Sequence, residues 1–132
     1  MRYSELTRRY FERAPGAGVL GPGAARGSAG SRDAGTWVQF DVLTGPAGEA
    51  RCVEAVRFQA FGCPHTIAVA AYVTQIAVGT VAHLALPETV RELQARFEVP
   101  VEKLGRLLIV EDAWREAMER ALAREGRGPG GW

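Results

Sequence analysis

A chain of 132 residues, 47% hydrophobic and 23% charged, has the size and composition of one domain around a single core. Its 16 basic and 15 acidic side chains leave a formal charge of +1, so no global field draws it onto nucleic acid or an anionic membrane, and neither is expected as a partner. Two cysteines, Cys52 and Cys63, are too few for a disulfide framework and no signal peptide precedes Tyr3, which makes a cytoplasmic location the simplest expectation; Glu5 and Glu12 argue against reading the Arg-rich start as a mitochondrial presequence.

Residues 3–11 read as a short amphipathic helix with Ser4 as its cap and a patch of Leu6, Tyr10 and Phe11, expected to dock on a sheet. Residues 14–35 are dominated by Gly, Ala, Pro and Ser and read as a long loop. Residues 37–44 alternate, with Val38, Phe40 and Val42 on one face and Gln39 and Asp41 on the other, and residues 45–48 supply a turn. The partner strand spans about residues 51–61. It sets Cys52, Val56, Phe58 and Ala60 on a core face, where Cys52 is structural, and Arg51, Arg57 and Gln59 on the other, giving a hairpin with one buried face.

Between Arg57 and Glu88 there is no Asp, Glu, Lys or Arg, and residues 66–86 are long enough to be weighed as a membrane span. Gln75, Gly79 and His83 interrupt the run, alanine supplies much of its apolar character and Pro87 closes it. A buried central helix is the stronger reading, with His83 a hydrogen-bonded histidine near its end. Residues 89–97 have helical spacing through Val90, Leu93 and Phe97, ended by Val99-Pro100. A last helix over residues 102–124 carries Leu104, Leu107, Leu108, Trp114, Met118, Ala121 and Leu122 near one stripe. Glu111 with Arg115 and Glu116 with Arg120 are spaced as i,i+4 pairs on its solvated face. The domain is set at 1–125, followed by a flexible Gly/Pro-rich tail, 126–132, whose Trp132 is a docking candidate.

The most informative stretch runs from Phe58 to His65. A strand-like alternation passes into Cys63, and Pro64, suited to the first position of a helix, makes Cys63 its N-cap. Unpaired backbone N–H groups and the positive end of the helix dipole favour a thiolate there, so Cys63 is a candidate nucleophile or metal ligand; the alternative is a small buried residue at a corner.

These pieces together resemble the NifU/IscU-type iron–sulfur cluster assembly scaffolds. The resemblance begins with Tyr3-Ser4-Glu5-Leu6 and Gly16-Ala17-Gly18-Val19-Leu20 and continues through Arg57-Phe58-Gln59-Ala60-Phe61-Gly62-Cys63 with Ile67-Ala68. It closes with Val99-Pro100-Val101-Glu102-Lys103-Leu104 and Glu111-Asp112-Ala113. It implies an α+β fold, a small antiparallel sheet of about three strands packed by helices, and a non-enzymatic part in iron–sulfur cluster biogenesis with a cysteine desulfurase or other assembly proteins as partners. It also implies an iron–sulfur cluster or zinc held by three cysteines and an aspartate. Of those four positions this chain keeps Cys63 alone: the loop motif reads Ala34-Gly35-Thr36, and the histidine–cysteine pair before the last helix reads Gly105-Arg106. One thiolate does not hold a cluster, and Arg106 brings a permanent positive charge to the place of a cation, where it either pairs with a Cys63 thiolate or fills a rim. His65, two residues on, adds one donor; a symmetric homodimer could pool two Cys63 and two His65 around one metal or cluster. Pro100 and Lys103 are what is kept of the chaperone-recognition segment and are candidate partner-docking residues; without the resemblance, Pro100 is an ordinary helix terminator.

Three functions follow. The first is a divergent scaffold-like protein that docks on assembly partners or handles sulfur at Cys63 and is not an ordinary cluster scaffold. The second is a repurposed binding module in which the vacated pocket of Ala34, Thr36, Cys63, His65 and Arg106 takes a small anion or a protein loop. The third is a thiol-dependent enzyme with His65 or His83 as base to Cys63.

Overall fold

The computed structural model describes residues 2–47 and 50–127. Helix α1 (Glu5–Arg13) is followed by strands β1 (Ala25–Ser31), β2 (Thr36–Ala47) and β3 (Ala50–Phe61), then by α2 (Pro64–Ala77) and α3 (Val90–Phe97). A 3-10 turn (Val101–Lys103) leads into the long α4 (Leu104–Arg127). The strands form one antiparallel sheet in the order β1-β2-β3, so the chain has the α+β architecture expected. Helix α4 lies across β1 and β2 while α2 runs along β3. Between these layers sit Val38, Phe40, Val42, Val56 and Phe58 from the sheet, Val69 and Val73 from α2, and Leu107, Val110, Trp114 and Met118 from α4. Phe40 meets Trp114 edge to face at 5.4 Å, the arrangement that the ring quadrupole favours.

The helix starts follow from local chemistry. Ser4 caps α1 by accepting from the Thr7 N–H at 3.1 Å, and Thr89 opens α3 with a full capping box, its hydroxyl bonded to the Glu92 N–H while Glu92 returns to the Thr89 N–H. Helix α1 docks on α2 and not on the sheet. Its apolar face meets aromatic rings there: Tyr10, Tyr72 and Phe97 form an edge-to-face cluster with centroids 5.3–5.9 Å apart, and the Thr7 hydroxyl donates to the Phe97 carbonyl at 3.0 Å.

The run 14–35 is not all loop. Its second half is β1, whose small residues let α4 come down onto the strand: a Cβ at Gly27 would run into the Ala117 backbone nitrogen and the Ala113 carbonyl. The outward edge of β1 is closed by that same helix, with Glu116 accepting from the Ser28 N–H at 3.1 Å and Arg120 donating to the Arg26 carbonyl at 2.7 Å. The first half of the run pairs with β3 through Gly16 and Gly18 on either side of Phe58.

The second face of the hairpin is buried on β2, at Gln39 and Asp41, and exposed on β3, at Arg57 and Gln59. Asp41 is 1% exposed, holding the Leu20 N–H at 3.0 Å and the Arg26 guanidinium at 2.7 and 3.0 Å. The Arg26 hydrogen bonds outweigh burial and, with the Leu20 bond, hold its carboxyl below the ordinary range. Residues 45–47 belong to β2 and not to a turn. Cys52 does not point with the core set: Leu43 pairs with Ala55 but Thr44 with Val53, so Glu54 is an extra residue that reverses the alternation, burying Val53 and leaving Cys52 half-exposed.

The central helix opens on Pro64 and is buried on most sides, but it ends at Ala77, not near residue 86. Gly79 takes a left-handed turn and the chain peels away to pair with β3, Val53 exchanging bonds with Gly79 and Thr80 at 2.8 Å. His83 therefore lies in an exposed loop, bonded at Nδ1 by the Ala85 N–H, instead of at a helix end. Leu108 faces solvent and Val110, Ala113 and Ala117 take the buried stripe of α4, which extends to Arg127 through the start of the expected tail; Trp132 lies outside the described residues. Among the described residues no helix is long and apolar enough to cross a membrane.

Candidate functional site

β3 delivers Phe61 and Gly62 to a corner where Cys63, in extended conformation, is the N-cap of α2 and Pro64 its first residue. The half-buried Cys63 Sγ lies 3.7 Å from the Thr66 hydroxyl; its side chain makes no capping hydrogen bond to the first N–H groups of the helix, which stand beside it at the positive end of the helix dipole. Burial pushes the thiol up. The polar groups of Thr66 and His65, together with the Arg106 charge, outweigh it and hold the thiol below its ordinary range. Cys63 stands at the helix start where the sequence sets it. Thr66, three residues into the helix, is a partner that inspection of Cys63 alone misses; a hydroxyl at that position of a cysteine-capped helix is the signal that finds it.

Three separated segments meet here. The pairing of Trp37 with Phe61 brings Thr36, 4% exposed, beside the corner, and the Gly35 carbonyl abuts Gly62. Ala34 is exposed, its N–H bonded to the Ser31 hydroxyl at 3.0 Å. From the first turn of α4, half-buried Arg106 acts on both Cys63 and His65, while Gly105 faces solvent. The rim is apolar and cationic: Phe61 is 44% exposed with the Arg32 guanidinium over its ring at 5.5 Å.

His65 is placed differently from a ligand standing beside Cys63. It is 1% exposed, its ring against the edge of Tyr3 at 4.7 Å between centroids, and the Lys103 ammonium sits 5.5 Å from the Tyr3 centroid. Burial, then the Lys103 and Arg106 charges, hold the imidazole below its ordinary range, so it is neutral at pH 7. Its Nδ1 has no hydrogen-bond partner among the described residues. Tyr3, the residue that ties His65 to Lys103, carried no functional signal in the sequence. Pro100 caps the 3-10 turn, and Val101 beside it is 73% exposed.

A metal or cluster does not fit this donor set. Among the described residues no three His, Cys, Asp or Glu side chains come together to hold a metal ion, and the fixed charge that faces the one thiol is a guanidinium. Among the described residues the side-chain partner of Cys63 is the Thr66 hydroxyl, and His83 lies beyond the far end of α2, a helix of 14 residues and so about 20 Å long, out of reach of the thiol.

The fold has counterparts among known proteins. A nitrogen-fixing NifU-like protein (N-terminal) from Brucella abortus superposes with a TM-score of 0.69 at 14% identity, covering 92% of this chain and 94% of that one. An iron–sulfur cluster assembly scaffold assignment for a SUF system from the thermophile Fervidobacterium islandicum AW-1 gives 0.62 at 14% identity, with 88% and 96% covered. A hypothetical protein gives 0.64 at 15%, with 87% and 95% covered. At these identities the likeness is one of fold. No curated protein matches the sequence. The model of the family described as the NifU-like N terminal domain matches residues 2–127, nearly the whole described chain, and the protein belongs to that family.

Proposed function

We propose that this protein serves iron–sulfur cluster biogenesis as a divergent scaffold-like component that docks on assembly partners and handles sulfur at Cys63, without holding a cluster as an ordinary scaffold does. Family membership supports the general role. The observation that supports the specific reading is the state of the one remaining ligand position: a half-buried thiol at a helix start, 3.7 Å from the Thr66 hydroxyl and held below its ordinary range with the Arg106 charge among the causes. Such a thiol is a competent nucleophile towards a persulfide, and among the described residues it has no further donors with which to hold a metal. In the step inferred, the Cys63 thiolate attacks the terminal sulfur of a donor persulfide. The new S–S bond forms on Cys63 as the donor's S–S bond breaks and the donor leaves as a thiolate, so no external oxidant is consumed.

The exposed Phe61, Val101 and Leu108, with Arg32, Lys103 and Arg106, make the surface on which such a donor would dock. The test is incubation with a cysteine desulfurase and L-cysteine, followed by mass spectrometry of the intact chain. One added sulfur on the wild type and none on Cys63→Ser is expected. Equal labelling of both, or none on either while the desulfurase turns over, contradicts the reading. A location in the cytoplasm is part of the same proposal.

A further inference from the structure

Gln75 stands about 18 Å along α2 from Cys63, and there a cleft opens between α2 and the end of α1. Helix α1 stops at Ala14, which takes a left-handed conformation with φ 40° and returns its N–H to the Tyr10 carbonyl at 2.9 Å. The chain turns through Pro15 and Gly16 and is pinned to β3, the Gly16 carbonyl accepting from the Phe58 N–H at 3.0 Å. Gly16 also comes so close to α2 that a Cβ there would run into the Thr74 methyl group. The walls of the cleft are thus tied together across α1, α2 and β3.

The cleft has two adjoining parts that share Pro15 and Gln75. One, of about 340 Å³, is lined by Arg9, Tyr10 and Arg13 of α1; the lining of the other, of about 260 Å³, includes Val56, Arg57 and Val78. Every charged side chain in that lining is an arginine. Glu5 and Glu12 line a neighbouring depression on α1, and among the described residues neither Arg9 nor Arg13 has an ion pair. Arg57 pairs with Asp41 in the strand register, but that carboxylate is taken by Arg26 and the Leu20 N–H. Arg57 bonds the Val56 carbonyl at 3.1 Å through one nitrogen, and the rest of its fork has no partner among the described residues. Tyr10 donates to Gln75 Oε1, which leaves the Gln75 amide N–H groups as donors where the two parts join.

Arg9 and Arg13 carry a further mark. They are spaced i,i+4 on α1, a like-charge arrangement that weakens a helix and that an anion between them relieves. Guanidiniums take carboxylate and phosphate groups in forked pairs, and a concavity of this size suits a small molecule. We propose that this cleft binds a small organic anion with an acidic group at each end, one held by Arg9 and Arg13, the other by Arg57. Gln75 donates between them, and Tyr10, Val56 and Val78 supply apolar contact. The site is separate from Cys63 and independent of the chemistry there.

The test is NMR titration of the isotope-labelled full chain with succinate and with phosphoenolpyruvate at constant ionic strength, acetate and sodium chloride serving as controls. Saturable shifts of the Gln75 side-chain amide and the Gly16 N–H are expected, with a matching rise in Tm. Arg9→Gln and Arg57→Gln, changes at exposed positions, should each weaken binding about tenfold, the loss of one charge-assisted hydrogen bond, and Cys63→Ser should leave it unchanged. Binding of succinate alone assigns the site to dicarboxylates, and of phosphoenolpyruvate alone to phosphate esters; either upholds it. Shifts that do not saturate, that acetate or chloride reproduces, that stay on α1 without reaching Gln75, or that survive both arginine changes overturn the proposal, as does the absence of any shift with both probes.

Discussion

The Cys63 thiol is held below its ordinary range by its local surroundings, the polar groups of Thr66 and His65 and the Arg106 charge, against the effect of burial. Arg106→Gln removes the charge and keeps the volume, so the thiol pKa should rise and the pH profile of alkylation should move to higher pH, measurable by reagent kinetics between neutral and alkaline pH. An unmoved profile would mean that the guanidinium does not reach the thiol. His65 bears on stability. Its folded pKa lies below the unfolded value near 6.5, so the folded form binds fewer protons. The stability it protects is complete above that unfolded value and is lost as pH falls below it towards the folded pKa. Thermal unfolding should drop between neutral pH and about pH 5, a window set by the ordinary histidine pKa, and His65→Gln should flatten the drop there. The thiol at Cys63 was legible from Pro64 and the charge-free helix behind it. The imidazole was not, because which neighbours bury His65 depends on Tyr3 and Lys103, brought in from both ends of the chain.

At the scale of elements, the sequence is clearest where one segment carries its own signal. Ser4 and Cys63 with Pro64 mark two helix starts that the structure keeps, and the alternation of Val38, Phe40 and Val42 is the core face of β2. Strand β1 carries no such signal. Its glycines read as loop in isolation and make sense only as the floor on which α4 rests. The bulge at Glu54 is hidden for a similar reason, since one extra residue leaves the composition unchanged and reverses the faces of Cys52 and Val53. Two substitutions test these assignments. Gly27→Ala should cost about 1–3 kcal/mol in chemical denaturation, because α4 must lift from the sheet; no loss would contradict the close approach. Thr89→Ala should cost about 1 kcal/mol through the lost cap of α3, with Glu92→Ala giving a smaller loss in the same assay.

The molecule as a whole has the α+β frame of the NifU-like N terminal domain. The frame survives because its determinants are distributed: the buried faces of β2, β3, α2 and α4 and the aromatic cluster of Tyr10, Tyr72 and Phe97 do not involve Ala34, Thr36 or Arg106. Changes at Ala34, Thr36 and Arg106 therefore leave the core untouched, and the order of motifs along the chain stays legible. That three separated segments meet at the Cys63 corner is seen only in their arrangement in space.

The central claim, that this corner is a thiol site and not an ordinary cluster site, is tested most directly by anaerobic reconstitution with iron and sulfide. Wild type and Cys63→Ser are treated in parallel, followed by metal analysis and visible absorption on the folded protein. The account predicts a folded, colourless wild type with no metal above the Cys63→Ser level. Stoichiometric iron with a charge-transfer band that disappears in Cys63→Ser would contradict it.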